Sequence, residues 1–530
     1  MGDLTFTLST IDLAVIGLYI VLMAVIAIAV AGRNQSAEDY FLAGRRSTWP
    51  IIGLSLFASN ISGTTLVGLA GEAYSTGISV YNYEWLAAII LAFFAIFIMP
   101  FILRARVYTM PEYLERRYDR RMRYYFSILT LFLTIVVDTA ATLFAGGLIL
   151  QMIFPGIPVW TIIAGLALVA GAYTVLGGLS AVMITDAIQA VILIGGSILI
   201  SIFAFNAAGG LDTVLNTVPQ EKLGLIKSMD DPGVPWLGLI TGAPLIGFYF
   251  WCTNQFMVQR VLSAKNEDHG RWGALFAGAL KLPTLFIMVL PGTAAILLYP
   301  GLENGDLIYP TLMFDLLPAG VLGLVLAGFL AAIMSQIDST LNSSSTIVTM
   351  DFIRTRHPEM TQKQMGQVGR VVTVVFLVLS VLWAPQIENF GSLFKYLQTI
   401  LSYTVAPIVA LFLVGGFWKR ANSNGAIASL VAGTGCGIVL FVLIEILGIM
   451  DIHFLIMAFY LFVISAAALI IVSLMTPDTR QPEDVGTLIW TADELKADLA
   501  RQEGRPFWQN HYVLTAALVA ATLGLVFLFR

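Results

Sequence analysis

Ser335, Asp338 and Ser339 fall at i, i+3 and i+4, so one face of a helix would carry a carboxylate and two hydroxyls. Hard oxygen donors of this kind suit a simple metal cation. They open a polar run, Ser335 to Thr346, inside an otherwise apolar segment. Small hydroxyl residues can instead be packing contacts between membrane helices, but a run this dense around a carboxylate favours a cation path. A second set suits a neutral polar solute. Glu84 lies just inside an apolar run, and Lys281 interrupts another in FAGALKLPTLF. Four aromatics, Phe248 to Trp251, precede the polar CTNQ and could form a stacking wall for a ring-shaped solute. Between these sets stands Ser59 to Thr65, in which six of seven residues are polar or Gly. Asp138 and Asp186 are two further carboxylates in apolar surroundings. The bland reading of any one of these is a buried ion pair or a snorkelling helix-end residue. Intramembrane ionisable groups are nonetheless rare and usually functional.

The elements that must position these groups follow from hydropathy. Of 530 residues, 58% are hydrophobic and 12% charged, with mean hydropathy +0.85, far below the roughly 25% charged of a soluble chain. The chain is an all-α polytopic membrane protein. About 20 apolar residues cross the hydrocarbon as a helix. Windows of that length give about fourteen spans, numbered α1 to α14: 11–31, 49–73, 79–103, 124–153, 159–176, 180–206, 236–259, 272–299, 318–352, 369–386, 392–417, 424–447, 452–475 and 511–529. In hydrocarbon every backbone amide needs an internal partner. The cluster Ser59 to Thr65 therefore predicts that α2 breaks in mid-span around a polar ligand, as in secondary transporters. The first run has no basic flank and no cleavage site, and is expected to be a permanent helix rather than a signal peptide.

Charge sets the orientation. With the N-terminus outside, the inner segments hold 23 of the 28 Lys and Arg residues, from Arg33 through Arg505. Lys222, Lys227 and Arg530 stay outside, while Lys281 and Lys395 lie in or at the ends of helices. Both termini are then outside, in a bacterial inner membrane. The basic run Arg116 to Arg123 is expected to be a topology signal touching lipid phosphate, not a nucleic-acid patch. In the inner stretch 476–510, Thr491 and Glu494 form a capping box that starts a short surface helix. Cys252 and Cys436 sit in apolar runs and imply neither disulfide nor metal site. His269, His357, His453 and His511 are scattered, and no nucleophile–base pair is visible, so an enzyme is not expected.

Several strings resemble the solute:sodium symporter family, in its sodium/glucose cotransporter-like branch. They are EDYFLAGR (Glu38 to Arg45), SLFASNIS (Ser55 to Ser62), YEW (Tyr83 to Trp85), GGLSAVMITDAIQ (Gly177 to Gln189), WCTNQFMVQR (Trp251 to Arg260), LNSSSTIVTMD (Leu341 to Asp351) and FWKR (Phe417 to Arg420). The resemblance implies a LeuT-like, five-plus-five inverted repeat. Residues 49–206 (α2–α6) would mirror residues 236–417 (α7–α11), with α2 and α7 the broken pair. The segment 424–475 (α12 and α13), the cytosolic loop 476–510 and the last helix, 511–530, would lie outside the repeats.

Carried over position by position, the resemblance implies a sodium site at the carbonyls of Ala58, Ile61 and Ala332 with Ser335 and Gln336. A further cation site would use Asp186, Asp338 and Ser339. The sugar-binding Glu, Lys and Gln fall on Glu84, Lys281 and Gln398. Thr65 stands where relatives have Gln or His, Gly247 where they have Asn, and Phe250, between Tyr249 and Trp251, at the aromatic gate. Tyr83 and Asn254 complete the implied solute site. The expected function is sodium-coupled symport of a monosaccharide or polyol by a monomer in a lipid bilayer, with Na+ as the coupling ion. The rivals are a carboxylate, amino acid or sialic acid substrate, or a different class altogether. A channel would need a continuous pore lining and a sensor an output domain, and neither pattern is visible.

Overall fold

A computed structural model describes residues 8–31, 36–390, 393–477 and 485–530. Arg33, Arg480 and the side chain of Lys395 lie outside the described residues. Among those described, the structure is built of helices, and each of the fourteen windows coincides with one or with a bent pair. Among the described residues, nine helices are long and apolar enough to cross a membrane alone, and three bent pairs are so together. The other two windows hold shorter apolar helices, Thr10–Ile26 and Val159–Gly171. Gly178 joins α5 to α6 directly; its φ of 60° lies in the left-handed region, where glycine carries no Cβ penalty.

The breaks have local causes. α2 is two helices, Trp49–Asn60 and Gly63–Ser75, inclined at 60°. Ile61 leaves the helix at φ −83°, ψ 83°. The Ser62 N–H turns to the Asn60 carbonyl at 3.0 Å instead of reaching back to Ala58. The Ser62 hydroxyl caps the second half by accepting from the Thr65 N–H at 3.2 Å. α7 runs as one span, Trp236–Thr253, whose last turn, Tyr249–Thr253, is a π-helix, and leaves the helix at Asn254 with ψ 128°. A fresh helix, Gln255–Leu262, then starts with Asn254 as its cap. So both members of the expected pair are interrupted. Two more interruptions were not expected: α8 bends 42° between Glu267–Leu280 and Leu285–Leu298, and α11 bends 52° between Tyr396–Thr404 and Ala406–Phe417. Pro283 and Pro407, which lack an N–H donor, stand at these joints. Lys281 is the residue that ends the first half of α8.

Packing sorts the helices. α9 (Val321–Arg356) is 83% buried over its apolar window, against 22% for Lys363–Glu388 and 17% for His511–Leu528. The polar run of α9 therefore lies in the protein interior, while Val371, Leu382, Val431 and Leu528 on the outer helices present apolar side chains outward. The basic run of the sequence is only partly a surface feature. Arg117 is fully buried and donates to the carbonyls of Gly415, Trp418 and Ala421 at 2.7–2.9 Å, satisfying the C-terminal end of α11. Arg123 donates to the buried Asp351 at 2.7 and 2.9 Å. For these two arginines the expected lipid-phosphate role is replaced by helix capping and an internal ion pair.

Candidate functional site

The breaks surround a cavity of about 140 Å³. Its wall includes Asn60 and Thr65 at the α2 break, Tyr83 and Glu84 from α3, Asp138 from α4, Gln336 from α9, and Gln398 from α11. Gly247, Phe250 and Trp251 close it from α7. Lys281 binds at the edge of this wall, donating to Glu84 Oε2 at 2.7 Å and also to Asn60 Oδ1. Its ammonium lies 5.5 Å from the centroids of both the Phe57 and Trp251 rings, within cation–π range. A buried ion pair of this kind gains little stability over a well-packed apolar pair. Here it fixes a donor and an acceptor beside one another at a cavity, which is what recognition of vicinal hydroxyls requires. The amide oxygens of Gln336 and Gln398 accept no hydrogen bond from the protein.

A second polar cluster lies behind the α2 break. Asp186 Oδ1 accepts from Ser335 at 2.6 Å, and Oδ2 accepts from Ser55 at 2.6 Å and Ser59 at 3.2 Å. Arg260, fully buried, donates to Asp186 at 2.8 Å and Ser55 at 2.7 Å, and also reaches Ser339. Ser59 and Ser339 share a hydrogen bond at 3.0 Å, joining α2 to α9. Ala58, Ile61 and Ala332 are buried.

A family model described as the sodium:solute symporter family matches residues 40–433. The chain belongs to that family. The symporter is 34% identical to sodium/glucose cotransporter 4 of Danio rerio, covering 92% of this chain and 82% of that one. It is also 34% identical to a sodium/mannose cotransporter of Bos taurus, covering 97% and 95%, and to sodium/myo-inositol cotransporter 2 of Homo sapiens, covering 90% and 78%. Among solved structures, a Na+-coupled sialic acid symporter in a substrate-bound, outward-open state superimposes with TM-score 0.80 at 25% identity, over 89% of this chain and 99% of that one. Mhp1, a nucleobase-cation-symport-1 family transporter, shares the fold at TM-score 0.58. Family membership makes sodium the coupling ion and the protein a transporter, not an enzyme.

The symporter's cavity gathers most of the sequence-predicted solute residues: Thr65, Tyr83, Glu84, Phe250, Trp251 and Gln398 line it, and Lys281 binds Glu84. Tyr249 and Asn254 stand elsewhere. Tyr249 is turned into the core, and Asn254 spends its side chain on the Phe256 N–H at 3.4 Å. Gln336, expected on the sodium, lines the same cavity as Glu84 and Gln398. Asp338 is buried within electrostatic reach of Tyr19 on α1, whereas Ser335 and Ser339 serve the Asp186 cluster. Two contributors, Asn60 and Arg260, escaped the sequence, and a third, Asp138, was singled out there without a role. Asn60 sits in the quoted SNIS string, and a polar residue at a helix break was the available signal. Asp138 lay in an apolar run with nothing to say which way it pointed. Arg260 closes the string WCTNQFMVQR and was counted with the inner basic residues; only the fold shows its guanidinium held against Asp186.

Proposed function

We propose that the protein drives a neutral monosaccharide or polyol across the membrane with the sodium gradient. The observation that carries this is the Lys281–Glu84 pair, 2.7 Å apart at a cavity that also presents Asn60, Gln336 and Gln398. Acceptors and donors set side by side suit a ring of hydroxyls. Relatives named for glucose, myo-inositol and mannose support that class. The solute docks among Glu84, Lys281 and Gln398, with Phe250 and Trp251 against its ring. Sodium takes the carbonyls of Ala58, Ile61 and Ala332 with Ser335. The Ala58 carbonyl suits this role because the Ser62 N–H is diverted to Asn60. Arg260 already supplies a positive charge to Asp186 and Ser339, so a second cation there would have to displace a guanidinium. One break then serves both ligands: Ala58 and Ile61 on the sodium side, Asn60 and Thr65 on the solute side. Ordering that break with sodium prepares the solute site, which is positive coupling between the two. Each charge moved inward contributes about 2.3 kcal/mol per 100 mV of membrane potential.

The transport core is the ten helices α2–α11, with α12–α14 peripheral, and the arginine asymmetry supports both termini outside. A monomer, with its cavity inside one chain, suffices as the working unit. The sialic acid symporter's structural likeness supports a second reading, an anionic sugar acid as solute. Against it, the one lysine at the cavity is already neutralised by Glu84. Purified protein in liposomes with an inward sodium gradient, offered monosaccharides, polyols, amino acids and sialic acid, tests both. We expect gradient-dependent accumulation of a neutral sugar or polyol. Uptake indifferent to the gradient would overturn sodium coupling, and uptake of sialic acid alone would replace the solute.

A further inference from the structure

Asp138 has no part in the contacts described so far. It comes from a π-helical turn of α4, Thr134–Thr139, and its side chain lines the solute cavity together with Val137, Gln336, Leu397, Gln398 and Leu401. Among the described residues its carboxylate makes no ion pair and no hydrogen bond. Glu84, the other carboxylate of the wall, is neutralised by Lys281. The cavity wall therefore presents one carboxylate with no cation beside it among the described residues. Beside Asp138, the amide oxygens of Gln336 and Gln398 are buried and accept nothing from the protein. One side of the cavity thus gathers a carboxylate and two amide oxygens that accept nothing from the protein. Buried polar groups left in this state normally mark a missing partner, and desolvating them against another acceptor is costly.

We propose that Asp138 is a solute-binding and specificity-determining residue: with Gln336 and Gln398 it takes hydroxyl protons from a neutral sugar or polyol and excludes solutes that bring a carboxylate. The proposal rests on the reading of the cavity as a sugar site. A hydroxyl facing this wall donates a charge-assisted hydrogen bond to Asp138. A uronic or sialic acid carboxylate facing it would place anion against anion. An amino sugar, whose ammonium is a donor, is accommodated.

The test is ligand binding by the purified full-length protein in sodium, read from the concentration dependence of its melting temperature. The probes are D-glucose, D-mannose, myo-inositol, D-glucosamine and D-glucuronate, against the wild type and Asp138→Asn. Asn keeps the shape and removes the charge. In the wild type, glucuronate is expected to bind at least about tenfold more weakly than the best neutral sugar. In Asp138→Asn the neutral sugar should weaken by about tenfold and the discrimination against glucuronate should shrink by a similar factor. Half-maximal sodium measured without solute should stay unchanged, because a merely structural role would move it even with no solute to couple to. Asp138→Glu, which restores the charge, should recover the discrimination. Glucuronate binding as tightly as glucose in the wild type would overturn the proposal without needing any variant, as would an Asp138→Asn profile identical to wild type. Failure of every sugar, charged or neutral, to bind the wild type would instead overturn the sugar reading on which the proposal stands.

Discussion

At the scale of single residues, the site depends on one buried pair. Lys281 and Glu84 meet at 2.7 Å, with Lys281 fully buried and Glu84 nearly so. Removing one partner leaves a charge in a poorly solvating place, which typically costs about 3–5 kcal/mol, whereas replacing both by apolar groups is often neutral. Lys281→Met and Glu84→Leu are therefore each expected to lower the melting temperature and abolish sugar binding. The double variant should regain stability and still fail to bind. Retained binding in Lys281→Met would remove the pair from the solute site. Glu84 and Lys281 were legible from the sequence because ionisable groups stand out against hydrocarbon-compatible neighbours, whereas Gln398 came from the resemblance to the family. Asn254 was legible as polar, yet its direction was not. At a helix break a side chain either faces the ligand or caps the new helix, and only the backbone path, ψ 128° at Asn254, sends it to the cap.

At the scale of elements, the two halves of α2 run along the two halves of α8. The contact is close because glycines sit in it. Gly53 and Gly273 face Phe276 and Ile52, and a methyl added at Gly292 would overlap the Ala70 carbonyl. Gly292→Val should destabilise by about 1–3 kcal/mol, since backbone rather than a flexible side chain must yield. Gly17, on α1, has open space around it, and Gly17→Ala should leave the melting temperature unchanged. Equal tolerance at both positions would contradict this packing. Helix positions were readable from hydropathy because a 20-residue apolar run has one economical conformation in a bilayer. The bends of α8 and α11 were not. A proline in an apolar run is compatible with a straight, kinked or broken span, and neighbouring helices decide which.

At the scale of the whole molecule, the segment after α13 ties distant helices together. The Tyr113 hydroxyl donates to Leu488 carbonyl at 2.6 Å, and the Trp490 N–H to Gly416 carbonyl at 2.8 Å. The surface helix Ala492–Gln502 forms where its capping sequence begins, but Glu494 accepts from Arg104 at 2.8 Å, at the end of α3. Asp498 accepts from Arg271, His511 and Tyr512, joining the starts of α8 and α14. Burial alone would raise the Asp498 pKa, but the hydrogen bonds from His511, Arg271 and Tyr512 outweigh it and hold the carboxyl well below the usual range. A carboxyl depressed on folding contributes stability above its unfolded pKa and loses it only as pH falls through the folded value. The Asp498 contribution should therefore be fully present from about pH 6 to 8, with Asp498→Asn melting lower throughout that window. Melting curves of the two proteins that converge at the alkaline end would refute this. The sequence by itself determined the helices, the family and the residue types at the site. Each of these is written locally, in hydropathy, in short strings and in polar groups out of place in lipid. Only the tertiary structure decided that Arg260 lies against Asp186 and that Gln336 and Asp138 line the same cavity as Glu84. These depend on residues dozens to hundreds of positions apart meeting in space, and no local spacing encodes where a side chain points once helices break and bend.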